Sequence, residues 1–407
     1  MIIKQYIKDF ENLGFGMFVH FGLYSVIGRG EWTYKHNNYA WEEYTRLTSN
    51  FSPKNDWAEE LVSAAYSAGC KYITLTTRHH DGFSLFDTCG LSEFDAPHLC
   101  NRDLIREFVD ACHKYGIIPF FYHTLLDWSV DSYQNDFKNY LKYLRDSVEI
   151  LCKNYGKIGG LWFDGMWNKP NDDWEEDALY GVIRKHQPEA MIINNTGLNA
   201  RGETGHIELD SVTFERGKPS AINKEDARKY IASEMCEVFA DHWGYAKKDF
   251  HYKSVPDIIE SLAVCRRYRS NLLLNVGPMA DGSLRTIDKG MLEIIGEWVK
   301  LNEKALRTPV PTNIEIEDKP KDFILKEGDT YYLFVHDLGM CGDENVAISR
   351  GMNLSEKFDF EGKIKSMCWL DNGEAVEFNQ EDKKVSVKLK PFIYGESYVV
   401  RILEIKV

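Results

Sequence analysis

Short apolar runs alternate with helical patterns along the first three-quarters of the chain. The runs predict strands at Gly16–Phe21, Tyr72–Thr77, Ile117–Tyr122, Gly160–Phe163, Met191–Asn194, Ser211–Phe214, Ile231–Met235 and Leu272–Val276. They are continuously apolar rather than alternating, as suits a parallel sheet covered on both faces. Helices are predicted between them. "NDWAEELVSAAYSAG" places Trp57, Leu61, Ala64, Ala65 and Ala68 on one face and stops at Gly69. "NRDLIREFVDACHKYG" repeats the design and stops at Gly116, glycine being the usual residue just past a helix end. Residues 132–155, 174–186, 254–268 and 286–304 read similarly. Strand–helix alternation repeated about eight times predicts an α/β fold, a (β/α)8-like TIM barrel. An open doubly wound sheet would call for a glycine-rich phosphate turn after the first strand. Neither G-x-G-x-x-G nor a Walker A sequence occurs.

The pattern changes at "LRTPVPTN", residues 306–313, where two prolines end the last helix and stiffen the connection. Beyond it "DTYYLFVHDL", "KIKSMCWLDNG", "KKVSVKLK" and "SYVVRILEIKV" read as strands separated by turn residues. The expected organisation is a barrel over 1–308 followed by a C-terminal antiparallel β-sandwich over 309–407.

Composition narrows the partners. The 407 residues carry 49 basic and 63 acidic side chains, a net charge of −14, which opposes nucleic acid and anionic membranes as partners. No apolar run approaches the ~18 residues of a membrane-spanning helix, and the N-terminus lacks the apolar core of a signal peptide. The nine cysteines are odd in number and form no Cys-x-x-Cys pair, so reduced thiols and a cytoplasmic address are expected. Ten Trp and 22 Tyr supply flat apolar faces with polar handles, suited equally to cores and to sugar sites.

The candidate chemistry lies where the predicted strands end, the face on which parallel barrels carry their sites. His20 follows "GMFV"; Arg78, His79, His80 and Asp81 follow "YITLTT"; Tyr122 and His123 follow "IIPFF". Asp164 follows "GGLWF", Asn194 and Asn195 follow "MII", and Glu215 follows "SVTF". A lone acid at a strand end is ordinarily a turn residue or a helix cap. A ring of acids, histidines and aromatics is instead the equipment of a glycosidase, in which two carboxyls flank the scissile bond. Metal-ligand spacing such as H-E-x-x-H is absent, so neither metal nor cofactor is expected.

Seven segments, in order from about residue 11 to 305, resemble the motifs of the retaining α-L-fucosidases, glycoside hydrolase family 29. They are "GFGMFVHFGLYSV", "GEWTY", "YITLTTRHHDGFSLFDT", "FFYHTLLDWS", "GGLWFDG", "HWGYAKKD" and "SNLLLNVGPMADG". The resemblance implies Asp164 as nucleophile. It implies His20, Glu31, Trp32, His79, His80 and Tyr122 as sugar ligands, and Trp243 against the sugar's methyl group. For the general acid it implies Glu215, in "DSVTFE", with Glu203 in "NARGETG" as the rival. Glu234 matches a family Trp-Glu pair except that Ser233 replaces the Trp. A family Arg after the fifth strand is missing from "INNTGL", with Arg201 as its candidate replacement. The implied reaction is retaining hydrolysis of terminal α-L-fucosides on a small glycan or glycoconjugate, with carboxyls ~5–5.5 Å apart. A non-catalytic sugar-binding barrel and a hydrolase for a related galactoside stay open, as does oligomerisation.

Overall fold

A computed structural model describes residues 2–195, 201–222, 229–340 and 354–407. Eight parallel strands close a barrel in chain order: β1 Phe15–Val19, β2 Tyr72–Arg78, β3 Ile118–Thr124, β4 Gly160–Asp164, β5 Met191–Asn194, β6 Ser211–Glu215, β7 Ala232–Val238 and β8 Asn271–Val276. β8 pairs back onto β1. Every predicted barrel strand is present, with ends shifted by a few residues at most. The predicted helices are present too, at Trp57–Ser67, Leu104–Tyr115, Phe137–Asn154, Glu176–His186, Val255–Arg267 and Thr286–Leu306. The helix expected over 132–155 is broken at Asp136, whose non-helical backbone (φ −151°, ψ 73°) frees its side chain to accept the Asn139 amide at 3.2 Å as an N-cap.

Side chains two residues apart on a strand share a face, and this parity builds the barrel interior. Phe18, Tyr122, Trp162, Ile193 and Cys236, from five different strands, pack in one buried cluster. Phe18 and Trp162 meet edge to face with centroids 5.0 Å apart, and Tyr122 stacks on Trp162 at 5.8 Å. The helix Gln5–Glu11 joins the same cluster at the opposite end. There Phe10 lies 5.5 Å from Tyr72 and 5.6 Å from Phe120. Gly160 leaves room for this packing: a Cβ there would stand 2.5 Å from the Met191 carbonyl oxygen.

One acid lies within this apolar interior. Glu234 on β7 is buried and accepts hydrogen bonds from the Tyr72 hydroxyl and from Trp162 Nε1 (2.9 Å). Burial raises its carboxyl to about 7, and the two donors hold it from going higher. An unpartnered carboxylate there would cost several kcal/mol.

The chain divides into two compact units, residues 1–253 with 271–293, and residues 254–270 with 294–407. The first holds the whole barrel. The second groups the helix Val255–Arg267 with two antiparallel sheets. One runs β13-β16-β11-β10-β9, from Ser366–Trp369, Val400–Lys406, Thr330–His336, Phe323–Glu327 and Val310–Pro311; the other runs β12-β15-β14, from Ser355–Asp359, Lys384–Lys388 and Glu377–Glu381. Leu333, Trp369 and Leu403 of the first sheet pack with Phe358 and Val385 of the second in one core, the arrangement of a sandwich. β9, β10, β12 and β14 are additional to the four strands read from the sequence.

Candidate active site

The inward parity that fills the barrel also supplies its mouth. His20 lies two residues beyond Phe18, Tyr122 two beyond Phe120, Asp164 two beyond Trp162 and Asn195 two beyond Ile193. Glu215 pairs in register with Cys236. At these strand ends opens a cavity of about 590 Å³. Among the predicted residues it is lined by His20, Trp32, His79, His80, Tyr122, Asp164, Glu215 and Trp243, and further by Phe18, Trp162, Trp167, Pro170, Asn195 and Cys236. Glu31 is buried outside this lining, where its Oε2 accepts the Gly244 amide at 2.7 Å, next to Trp243.

Asp164 ends β4, and the chain turns sharply at once through Gly165 (φ +103°). A side chain there would be strained, and its Cβ would stand 2.8 Å from the Leu126 amide nitrogen. The turn lets the Leu125 amide reach the Asp164 carbonyl at 2.7 Å. The carboxylate accepts from Tyr122 Oη (3.0 Å) at Oδ2, and from Trp167 Nε1 (3.1 Å) and Asn195 Nδ2 (3.2 Å) at Oδ1. His80 Nε2 faces Oδ2 at 3.4 Å. Burial alone would raise this carboxyl. The contacts from His80, Trp167 and Tyr122 outweigh burial and hold it at about 2.

Glu215 ends β6. Its Oε2 accepts Asn195 Nδ2 at 2.7 Å, and its backbone carbonyl accepts Arg201 Nε at 2.6 Å. Burial raises its carboxyl above the ordinary range; the Asn195 hydrogen bond opposes that rise and the Asp164 charge adds to it. One amide nitrogen thus touches both acids. The two contacts laid end to end, 3.2 and 2.7 Å, cap the separation of Asp164 Oδ1 and Glu215 Oε2 at 5.9 Å.

The histidines are held as neutral or oriented rings. Asn275 Nδ2 donates to the Trp243 carbonyl, so its Oδ1 accepts from His20 Nδ1 at 2.6 Å, leaving His20 Nε2 as an acceptor. Burial lowers His20 to about 3. His79 is lowered too, by burial first and then by the neighbouring rings, and its Nδ1 is buried with no hydrogen-bond partner among the described residues. The Thr124 hydroxyl donates to the Leu126 carbonyl and so accepts from His80 Nδ1 at 2.6 Å, which aims Nε2 at Asp164.

Of the other acids weighed from the sequence, Glu203 is exposed and Glu234 is buried beneath Trp162; neither lines the cavity. Of "INNTGL", residues 193–198, where the family Arg is missing, positions 196–198 lie outside the described residues. Trp167 was absent from the sequence-based site, and Asn195, named there at its strand end, was given no role, although parity after Met191 and Ile193 points it inward. Among the described residues no three His, Cys, Asp or Glu side chains converge as a metal-binding group.

A family model described as alpha-L-fucosidase matches residues 3–304. The chain belongs to the α-L-fucosidase family. Tissue alpha-L-fucosidase of Rattus norvegicus is 27% identical over 367 residues, covering 80% of this chain and 76% of that protein. The Homo sapiens enzyme of the same name is 27% identical over 366 residues, covering 80% and 75%. Among solved structures, alpha-L-fucosidase isoenzyme 1 from Paenibacillus thiaminolyticus superposes with a TM-score of 0.83 at 27% identity, covering 99% of this chain and 98% of that one. A family 29 enzyme from Bacteroides thetaiotaomicron, solved as a trapped covalent intermediate with 2-fluoro-fucosyl fluoride, shares the fold. Its TM-score is 0.81 at 22% identity, covering 99% of this chain and 96% of that one.

Proposed function

We propose that the chain hydrolyses terminal α-L-fucosides by double displacement, with Asp164 as nucleophile and Glu215 as general acid and base. The observation that carries this reading is the carboxyl pair joined through one Asn195 nitrogen, its nearest characterised oxygens no more than 5.9 Å apart. Retaining glycosidases hold their carboxyls ~5–5.5 Å apart, whereas inverting ones need ~6.5–9.5 Å to admit a water. The environments also push the two acids in opposite directions, as separate roles require. Asp164 attacks C1 as the anion. The C1–O bond breaks while Glu215 gives its proton to the leaving oxygen. Water then attacks C1 of the fucosyl ester, Glu215 takes the water's proton, and Asp164 leaves as the anion.

The neutral His20 offers Nε2 to a sugar hydroxyl, and the His79 ring lines the same cavity. Trp243 presents a ring that suits the 6-methyl group, and the Glu31–Gly244 hydrogen bond steadies that segment. Held this way, substrate binding energy becomes orientation at C1. The family's name and the trapped Bacteroides intermediate support the same chemistry.

Turnover of a nitrophenyl α-L-fucoside, followed by NMR, tests the reading. Release of nitrophenol with α-L-fucose as the first anomer is expected, with weaker turnover of the corresponding α-L-galactoside. Asp164→Ala is expected to keep its fold and lose a factor on the order of 10⁴ or more in kcat. Added azide should then yield the inverted β-fucosyl azide. Near-wild-type hydrolysis by that variant contradicts the assignment.

A further inference from the structure

The barrel seam between the two acids is thin. β5 has four residues, and its recorded pairing with β6 is the single pair Ile193↔Ser211, well below the level of the acids. β4, by contrast, pairs with β5 through four successive residues. The ladder that would normally set the distance between residues at the ends of β4 and β6 stops short of them.

Asn195 occupies that gap. Its backbone amide donates to the Phe163 carbonyl at 2.8 Å, fixing it beside Asp164 on β4. Its side-chain Oδ1 accepts the Thr213 hydroxyl at 3.1 Å, fixing it to β6. Two carboxyl acceptors on one side and a hydroxyl donor on the other assign the amide orientation, with Nδ2 toward the acids. Its two N–H groups match two acceptors, Asp164 Oδ1 and Glu215 Oε2. Asp164 also has Tyr122 and Trp167 as donors. Among the described residues, Asn195 is the one donor within hydrogen-bonding distance of the Glu215 carboxyl.

We propose that Asn195 is a positioning residue: its carboxamide, braced by Thr213, sets the spacing of the Asp164 and Glu215 carboxyls where the strand ladder does not. Because Asp164 keeps other donors and Glu215, among the described residues, does not, loss of Asn195 falls mainly on proton donation. The inference rests on the roles given to those two acids. Wild-type turnover and Asp164→Ala test the roles; the comparison below tests Asn195 alone.

The test is Asn195→Ala assayed on two α-L-fucosides, a dinitrophenyl fucoside whose leaving group needs little protonation and an unactivated fucosyl disaccharide. kcat/KM for the disaccharide is expected to fall about 100-fold, the order of loss that follows from displacing a reacting group by ~1 Å. The dinitrophenyl fucoside should lose less than tenfold. The basic limb of the pH profile should move to higher pH, since an N–H donor that favours ionised Glu215 is gone. Thr213→Val leaves Asn195 in place, removes its brace at nearly constant volume, and should show a smaller split of the same sign. Equal losses on both substrates with an unmoved pH profile, or no loss on either, would overturn the proposal.

Discussion

Asp164 and Glu215 carry the same functional group and are driven apart by their neighbours. Asp164 is surrounded by donors, and its proton is bound only near pH 2. Its folded-state value lies below the unfolded one. Its contribution to stability is therefore present above the ordinary carboxyl range and lost as pH falls through about 2. Glu215 is raised, mainly by burial, so it holds its proton to higher pH than a free glutamate. The expected kcat/KM profile has a basic limb governed by Glu215 and no acid limb from Asp164 above about pH 3. In Glu215→Ala that basic limb should vanish, and azide should capture the fucosyl ester as the α-azide, the retained anomer. A basic limb unchanged in Glu215→Ala would assign the acid role elsewhere. Motif order led to these two acids. Asn195 was noted at its strand end but given no role, since an amide carries no charge; its meaning appears only when inward parity is followed one step beyond β5.

At the scale of elements, the barrel strands were legible because burial on both faces requires uninterrupted apolar runs, and eight such runs separated by helical patterns leave few alternatives. The terminal strands were harder to read. β14, "EFNQE", has no apolar run and is largely exposed, and β12, "SEKFD", contributes one large apolar side chain, Phe358. The register of helix breaks was also hidden, since Asp136 interrupts a helical pattern through a local side-chain cap. The β4-to-loop turn is the element on which the site most depends. Gly165→Ala should strain the backbone by ~1–2 kcal/mol and press on Leu126, whose backbone lies against the missing Cβ. A lowered Tm with a fall in kcat larger than the rise in KM is expected, because Asp164 would be re-aimed rather than the pocket closed. Unchanged kcat at full stability would show that the turn does not aim the nucleophile.

At the scale of the molecule, every residue lining the cavity belongs to the barrel unit, while the second unit builds its own core from two sheets. The sequence boundary at 308/309 follows the prolines, whereas contact density groups the helix Val255–Arg267 with the later sheets. Within that unit Arg267 donates to the Pro320 carbonyl at 2.6 Å and Arg266 to the Arg307 carbonyl at 2.8 Å. Long-range grouping of this kind leaves no mark on local apolar periodicity, which is why it was not legible in the chain. What the barrel delivers is one ionised carboxylate lining a cavity, with a second carboxyl, shifted the opposite way by burial, within reach. The most direct measurement is covalent trapping with 2-fluoro-fucosyl fluoride, followed by mass spectrometry of the digested protein. One fucosyl adduct per chain on the peptide bearing Asp164, absent in Asp164→Ala, is the predicted result; an adduct on Glu215, or wild-type turnover with no adduct formed, would contradict it.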